Sequence, residues 1–418
     1  MIKSRIAILH YTVPPIVGGV EAVIQAHARI FTQAGYPVTL VAGDGDAEAL
    51  PARTDFVRIR EMDSQYEQIV EMSAQLEQGI VPDGFEPMTG RLRSALASIL
   101  KPSDTVIVHN LFTKHFNLPL TAALYQLLDS REIQHCIAWC HDFTWTSPNS
   151  RSRVHPGHPW DLLRTRHPKV TYVVVSQSRQ KELAGLLRCP ENEIHVVYNG
   201  VDPDLLLGLS AEAAALVGRL KLLEQDLVLL MPVRVTRAKN IEFALRVVAA
   251  LKARGCRSKL VLTGPPDPHH PESMGYFRSL QALRHELGVE EEMHFVFESG
   301  DDPDEPTFID ADVVGDLFRV SDLMFMPSHS EGFAMPVLEA GLIGIPVVST
   351  EVPAAVEIGG ADVMLIDEHD DPADLADQLL AWAENSQVHR LRHRVRQRYT
   401  WQAIFCRDIE PLLREGAT

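Results

Sequence analysis

Short runs of apolar and β-branched residues alternate with stretches of helical periodicity along this chain, and few architectures accommodate that alternation. In the first half the strand-like runs are Arg5–His10, Pro37–Ala42, Thr105–His109, His135–His141, Val170–Ser176 and Ile194–Tyr198. In the second half they are Leu227–Val233, Lys259–Gly264, Met293–Phe297, Leu323–Met326, Pro346–Ser349 and Val363–Ile366. Helical patterns lie between most of them, such as Gly19–Ala34 and Ile241–Arg254, the latter with Asn240 as an expected N-cap and Gly255 as its stop. Strand–helix repetition makes successive strands parallel and puts helices on both faces of the sheet. At 418 residues the chain exceeds what one hydrophobic core serves. The prediction is therefore α/β, with two doubly wound, Rossmann-like domains. The first covers 1–200, and the seam lies at Asn199-Gly200-Val201-Asp202, where a strand ends in turn residues. Pro82–Gly90 and Glu298–Asp312 read as irregular segments, Ala211–Glu224 as a polar helical stretch, and Gln387–Arg414 as helical.

Composition removes several functional classes. With 45% apolar and 23% charged residues, disordered and fibrous classes are excluded. The apolar runs are strand-sized, far below the roughly 20 residues of a bilayer-spanning helix. Met1–His10 reads as a first strand and not as a signal-peptide core, so a cytoplasmic protein is expected. The five cysteines are dispersed, and the one close pair, Cys136 and Cys140, reads as two buried strand positions. Residues 1–200 carry 19 Lys and Arg against 20 Asp and Glu, which leaves 20 against 36 for the remainder, so nearly all of the net charge of −17 lies in the second half. Such a field opposes nucleic-acid binding.

In doubly wound sheets ligands bind beyond the carboxyl ends of the strands, so the chemistry is sought there. After the predicted strand Leu323–Met326 comes Ser328-His329-Ser330-Glu331-Gly332-Phe333-Ala334-Met335-Pro336-Val337-Leu338-Glu339. Glu331 falls on the loop, Pro336 suits a first helical turn, and Glu339 follows about one turn further in. One carboxylate, free backbone N–H groups at Gly332, Phe333, Ala334 and Met335, and a second carboxylate form a receptor for hydroxyls plus an anion. A hydrolase-type carboxylate pair is the rival reading. Glycosidase pairs stand roughly 5–9.5 Å apart across one bond, whereas eight helical positions span up to about 12 Å, so two separate hydroxyl grips fit better.

Arg234 and Lys239 follow the strand Leu227–Val233 and offer a planar fork and a point charge, the complement of two adjacent phosphates. Gly18-Gly19 precedes a helix and lets backbone approach a phosphate or a sugar. It is not the G-x-G-x-x-G fingerprint, which removes the main support for a dehydrogenase. Seven of the 18 histidines lie between His109 and His167, and His109 and His141 each end a predicted strand, although a core or turn position also explains them. His155-Pro156-Gly157-His158 lacks a third ligand and reads as loop composition, and no metal site is expected.

The Glu-x7-Glu within "PSHSEGFAMPVLEAGLIGIPVVST" resembles the signature of the retaining GT-B glycosyltransferases of the large family four, relatives of glycogen and sucrose synthases. "PVRVTRAKN" is similar to that family's diphosphate clamp, "YNGVD" at Tyr198–Asp202 to its interdomain junction, and "VGGVEA" at Val17–Ala22 to its first glycine loop. The resemblance implies two domains facing across a cleft: 1–200 on the acceptor side, 201–395 binding the nucleotide sugar, and a helix at 396–418 packing back toward the first domain. It also implies transfer of a hexose from a UDP-, GDP- or ADP-linked sugar to an acceptor hydroxyl with retention, with no metal and no cofactor. Arg234 and Lys239 would stabilise the leaving diphosphate, Glu331 and His141 ("AWCHDF") would hold the hexose, Glu339 would bind the ribose, and His109, Gly18 and Gly19 would line the substrate. Ala334 and Met335 depart from the family's usual Gly and Leu, and "PAAVEI" at Pro353–Ile358 replaces a more glycine-rich turn. A soluble sugar or polar small molecule is the favoured acceptor over a lipid, since no long basic amphipathic helix stands in 1–200. The alternatives are an epimerase or phosphorylase on the same fold, or a non-catalytic nucleotide-sugar-binding regulator. A metal-dependent single-domain transferase would have to use Asp310-Ala311-Asp312, which lies late in an acidic segment.

Overall fold

The computed structural model describes residues 3–16, 18–267, 272–300 and 305–415. The chain divides into two units, the first made of 1–200 with 401–418 and the second of 201–400. The second unit thus runs to Thr400 and keeps all of the helix Gln387–Arg398, where a boundary at 395 was expected.

The first unit holds seven parallel strands: β1 (Ile6–Leu9), β2 (Val38–Ala42), β3 (Thr54–Arg58), β4 (Thr105–His109), β5 (Cys136–Cys140), β6 (Val170–Val174) and β7 (Ile194–Val196). Their order is β3-β2-β1-β4-β5-β6-β7. Side-chain alternation divides the core into two layers. Ala7 and Leu9 face the helices Phe85–Leu100 and Leu118–Asp129, with Leu92, Leu96 and Leu124 among the buried residues. Ile6 and Ile8 face the helix Gly19–Gln33, and there Trp401, Ile404, Phe405 and Leu412 of the returning C-terminal segment complete the layer.

The second unit holds β8 (Leu227–Met231), β9 (Ser258–Leu262), β10 (Met293–Phe295), β11 (Leu323–Met326), β12 (Val347–Thr350) and β13 (Met364–Ile366), all parallel, in the order β10-β9-β8-β11-β12-β13. Leu227, Leu229 and Met231 face one layer, and Val228 and Leu230 face the other. The doubly wound α/β class expected for both halves is what the chain forms. No helix among the described residues is long and apolar enough to cross a membrane.

Four local expectations need correction. β3 was not foreseen: it is an edge strand paired only to β2, and its residues are half-exposed or exposed, so it carries no continuous apolar run. Pro82–Gly90 is not irregular beyond Gly84, since a helix starts at Phe85 and Pro87 sits in its first turn, where its missing N–H costs nothing. Asn240 stands at the N-cap position as expected, but in a left-handed conformation, φ 49°, and its side chain makes no cap bond. Within Glu298–Asp312, residues 301–304 lie outside the described residues, and Asp310 caps the helix Ala311–Val320 by accepting from the Val313 N–H.

The helix Gln387–Arg398 is fixed to its unit by charge. Arg396 donates to Asp322 Oδ2 at 2.8 Å, both side chains are almost fully buried, and the same oxygen accepts from the Val228 N–H at 2.8 Å. Removing one member of a buried pair leaves the other uncompensated. Arg396→Met is therefore expected to destabilise the second unit by about 3–5 kcal/mol, read by urea unfolding. A loss under about 1 kcal/mol, the size of an exposed pair, would show that water already reaches Asp322.

Candidate active site

Each sheet reverses its strand order once, between β1 and β4 in the first unit and between β8 and β11 in the second. At such a reversal the loops leaving adjacent strands turn to opposite faces and leave a crevice at the carboxyl ends. Most of the predicted site residues lie on loops or helix starts at carboxyl ends of strands in these two sheets; His109 is the last residue of β4, and Glu339 lies in the middle of the helix Met335–Ile343.

In the second unit two loops are joined directly. The loop after β8 carries Arg234 and Lys239, and the loop after β11 carries Glu331. The His329 N–H donates to the Ala238 carbonyl at 2.8 Å, and Lys239 Nζ donates to both carboxylate oxygens of Glu331, at 2.6 and 2.7 Å. Ser328 Oγ donates to Glu331 Oε1 at 2.6 Å, and Thr350 Oγ1, at the end of β12, donates to the Ser328 carbonyl. Glu331 is thus anchored from two sides and mostly buried. The sequence reading separated the roles of Lys239 and Glu331, whereas in the structure each is the other's partner. Arg234, on the same loop as Lys239, is exposed.

Arg234 is placed by a glycine that sequence reasoning passed over. Gly264 follows β9, its N–H donates to the Val233 carbonyl at 3.0 Å, and a Cβ there would stand 2.5 Å from that oxygen and 2.8 Å from Arg234 N and Cα. Backbone atoms cannot yield as a flexible side chain can, so Gly264 sets how closely the two loops approach.

Ala334 caps the helix Met335–Ile343 in a left-handed conformation, φ 57°, and is buried. That geometry explains a glycine preference, since it costs a non-glycine residue roughly 1–2 kcal/mol. No side chain caps the helix; Pro336 has no N–H and the Val337 N–H donates to the Ala334 carbonyl at 3.0 Å, which leaves the Met335 N–H at the helix start to face a ligand, while Gly332, Phe333 and Met335 are exposed at the same place. Ala334 offers backbone only. Glu339 is exposed within the helix.

In the first unit Gly18 and Gly19 open the helix Gly19–Gln33. A Cβ on Gly18 would lie 2.1 Å from Glu21 Oε2, so the missing side chain makes room for the Glu21 carboxylate, whose Oε1 also accepts from Thr12 Oγ1 at 2.7 Å. With this anion folded over the helix start, hydroxyls are favoured there over the phosphate that was also expected.

The histidines form one buried cluster. His10 follows β1, His109 ends β4, His141 follows β5 and His27 lies on the helix Gly19–Gln33. His109 Nδ1 is hydrogen-bonded to His141 Nε2 at 3.1 Å, and the His10 ring bonds the His109 carbonyl through Nδ1 at 2.9 Å. His27 packs edge-on to Trp139, 4.5 Å between centroids, and lies 5.4 Å from His109. His109 is fully buried, so its side chain does not line a substrate surface as expected; it stands behind His141. Asn110, at φ 60°, accepts through Oδ1 from the N–H groups of His141, at 2.8 Å, and Asp142, at 3.2 Å. Burial disfavours the imidazolium throughout the cluster: His27 and His141 are pushed down to about 3, and His109 falls well below its ordinary range. His10 is also lowered, burial outweighing the opposing pull of Glu21, which lies 3.8 Å from Nε2. All four rings are therefore neutral at pH 7. Sequence reasoning missed His10 and His27; the i, i+4 spacing of Val23, His27 and Phe31 on an apolar helix face was the available signal.

Comparison with known proteins follows this division. Residues 17–205 match the model described as Glycosyltransferase Family 4, and residues 216–400 match the one described as Glycosyl transferases group 1. Each of the two units thus matches a glycosyltransferase domain model. An uncharacterized glycosyltransferase of Methanocaldococcus jannaschii is 27% identical over 203 residues, 48% of this chain and 47% of that one. A D-inositol 3-phosphate glycosyltransferase of Saccharomonospora viridis is 30% identical over 244 residues, 55% and 52% of the two chains. The chain spans about half the length of the curated relatives it matches. The crystal structure of sucrose-phosphate synthase from Thermosynechococcus elongatus aligns over 100% of both chains at 16% identity with a TM-score of 0.39. The fold is GT-B in type, two Rossmann-like domains in one polypeptide.

The neutral imidazoles make the first unit acid-sensitive. A histidine whose folded pKa is depressed binds its proton more readily when unfolded, so stability is complete above about pH 6.5 and is lost as pH falls toward 3. For His27 this amounts to about 2 kcal/mol at pH 5. His27→Phe should remove about that much of the difference in urea-unfolding stability between pH 7.5 and pH 5. An unchanged difference would mean that His27 is already solvated. Gly264→Ala should leave the fold intact while weakening binding of a nucleoside diphosphate by calorimetry; undiminished affinity would detach Arg234 from the site.

Proposed function

We propose that the protein transfers a hexose from a nucleotide-diphosphate sugar to an acceptor hydroxyl with retention of anomeric configuration. The observation that carries this reading is the paired Lys239 and Glu331, with an exposed Arg234 on the loop of Lys239, at the order reversal of a parallel sheet and next to a helix start that no side chain caps. A guanidinium, an ammonium and a helix-start N–H suit a diphosphate, and a carboxylate suits sugar hydroxyls. An arriving diphosphate offers Lys239 a more highly charged partner than Glu331, and releases that carboxylate to accept from the hexose. Glu339 is the proposed ribose contact, and His141 the sugar contact of the first unit. In the proposed front-face displacement the bond from the sugar C1 to the leaving phosphate oxygen breaks as the acceptor oxygen bonds to C1 on the same face. The acceptor's proton passes to the leaving phosphate, whose growing charge Arg234 and Lys239 stabilise. On this reading the two cations do the work of a divalent metal, and turnover survives chelation. The acceptor is proposed to be a soluble sugar or polar small molecule.

The two glutamates should fail differently. Glu331→Gln frees Lys239, so UDP, GDP or ADP should bind as well as before or better, while transfer falls on the order of a hundredfold. Glu339→Gln should weaken the free nucleotide itself, since ribose contacts exist with substrate and product alike. Calorimetry with the nucleotides and product analysis by NMR, which also reports the anomer formed, test both. Equal loss of nucleotide affinity in the two variants would end this division of roles, and an inverted product would end the proposed displacement.

A further inference from the structure

We propose that His109 is a positioning residue that fixes His141 as the Nδ1–H tautomer, so that the ring presents a hydrogen-bond donor to the sugar. The hydrogen bond between His109 Nδ1 and His141 Nε2, 3.1 Å, holds one proton, and two arrangements are available to it. If His141 donates, the remaining proton of His109 sits on Nε2, and that atom is buried with no hydrogen-bond partner among the described residues. If His109 donates, Nε2 carries only a lone pair. Orphaned buried N–H donors are rarer in folded proteins than under-satisfied acceptors. The second arrangement is therefore assigned, and it leaves the proton of neutral His141 on Nδ1, the nitrogen that faces away from His109.

The surroundings hold both rings in place. His109 is fully buried and near-parallel to Trp139, at 24° and 5.9 Å between centroids, and to His141, at 21° and 5.4 Å. Its own carbonyl accepts from the His10 ring, and the neighbouring Asn110 secures the His141 backbone N–H. Successive residues at the end of β4 thus fix the ring and the main chain of His141. The consequence for catalysis rests on the proposed sugar contact of His141; the tautomer itself does not.

Two-bond proton–nitrogen correlation spectra of the full-length protein labelled with 15N-histidine report the tautomer directly, with the His141 signals identified by their loss in His141→Gln. The expected result is a single Nδ1–H form of His141 in the free protein at pH 7.5. His109→Leu removes the donor and should bring His141 to a mixture of tautomers, and His109→Asn, which returns an amide donor near the position of Nδ1, should restore the single form. Thermal unfolding verifies that each variant is folded, and the wild-type spectrum alone decides the assignment if His109→Leu does not fold. A wild-type Nε2–H form of His141, or a folded His109→Leu with an unchanged His141 spectrum, would overturn it. Absence of turnover with every nucleotide sugar tried would fall on the proposed reaction and leave the tautomer result standing.

Discussion

A parallel strand ends with its carbonyl edge and the following loop on the same side as every other strand of its sheet, so function gathers along one edge. Where the strand order reverses, adjacent loops turn to opposite faces and no connection fills the space between them. Both units of this chain depend on that constraint. In the first, the reversal falls between the paired strands β1 and β4 and brings His10 and His109 side by side. In the second, it falls between the paired strands β8 and β11 and brings the loops of Lys239 and Glu331 within a hydrogen bond of each other. Residues about ninety positions apart in sequence meet because the sheet allows a single place for such a meeting.

The two reversals are furnished with opposite electrostatics. The first unit's is lined by neutral imidazoles, because burial among Trp139, Phe31 and Trp401 makes a second proton costly. The second unit's is lined by formal charges that compensate one another: a mostly buried carboxylate with an ammonium and a hydroxyl donating to it. Neutral rings offer directional hydrogen bonds without attracting an anion, and the paired cation attracts an anion once its present partner is displaced. This difference is the physical basis for assigning the sugar contact to one unit and the diphosphate to the other.

The alternation of strand and helix was legible because a buried parallel strand must be apolar on both faces, and each of the twelve expected runs overlaps a strand. β3 was not legible because an edge strand carries no such requirement. At the candidate site, Arg234, Lys239 and Glu331 drew attention because charged groups on the loop that follows an apolar strand need a reason to be there. The partnership of Lys239 with Glu331 was not legible, since it depends on the order β8-β11, which local pattern does not encode. Gly264 escaped for a related reason, as did the group for which Gly18 makes room. Each glycine is required by what a distant or neighbouring group does with the space of its missing Cβ, a carbonyl in one case and the Glu21 carboxylate in the other.

His109 shows how a functional assignment can be right in place and wrong in contact. A histidine ending a central strand is directed to the ligand edge, but β4 lies in the middle of its sheet, and the ring is covered by its neighbours. His141 follows β5, one strand further along, and retains some exposure. Two adjacent strand ends therefore supply one ring that can meet a ligand and one ring behind it. A lone imidazole could present either nitrogen state to a sugar hydroxyl, whereas one backed by a second buried ring has that choice made before the ligand arrives, and the entropy of selecting it is spent in folding and not in binding.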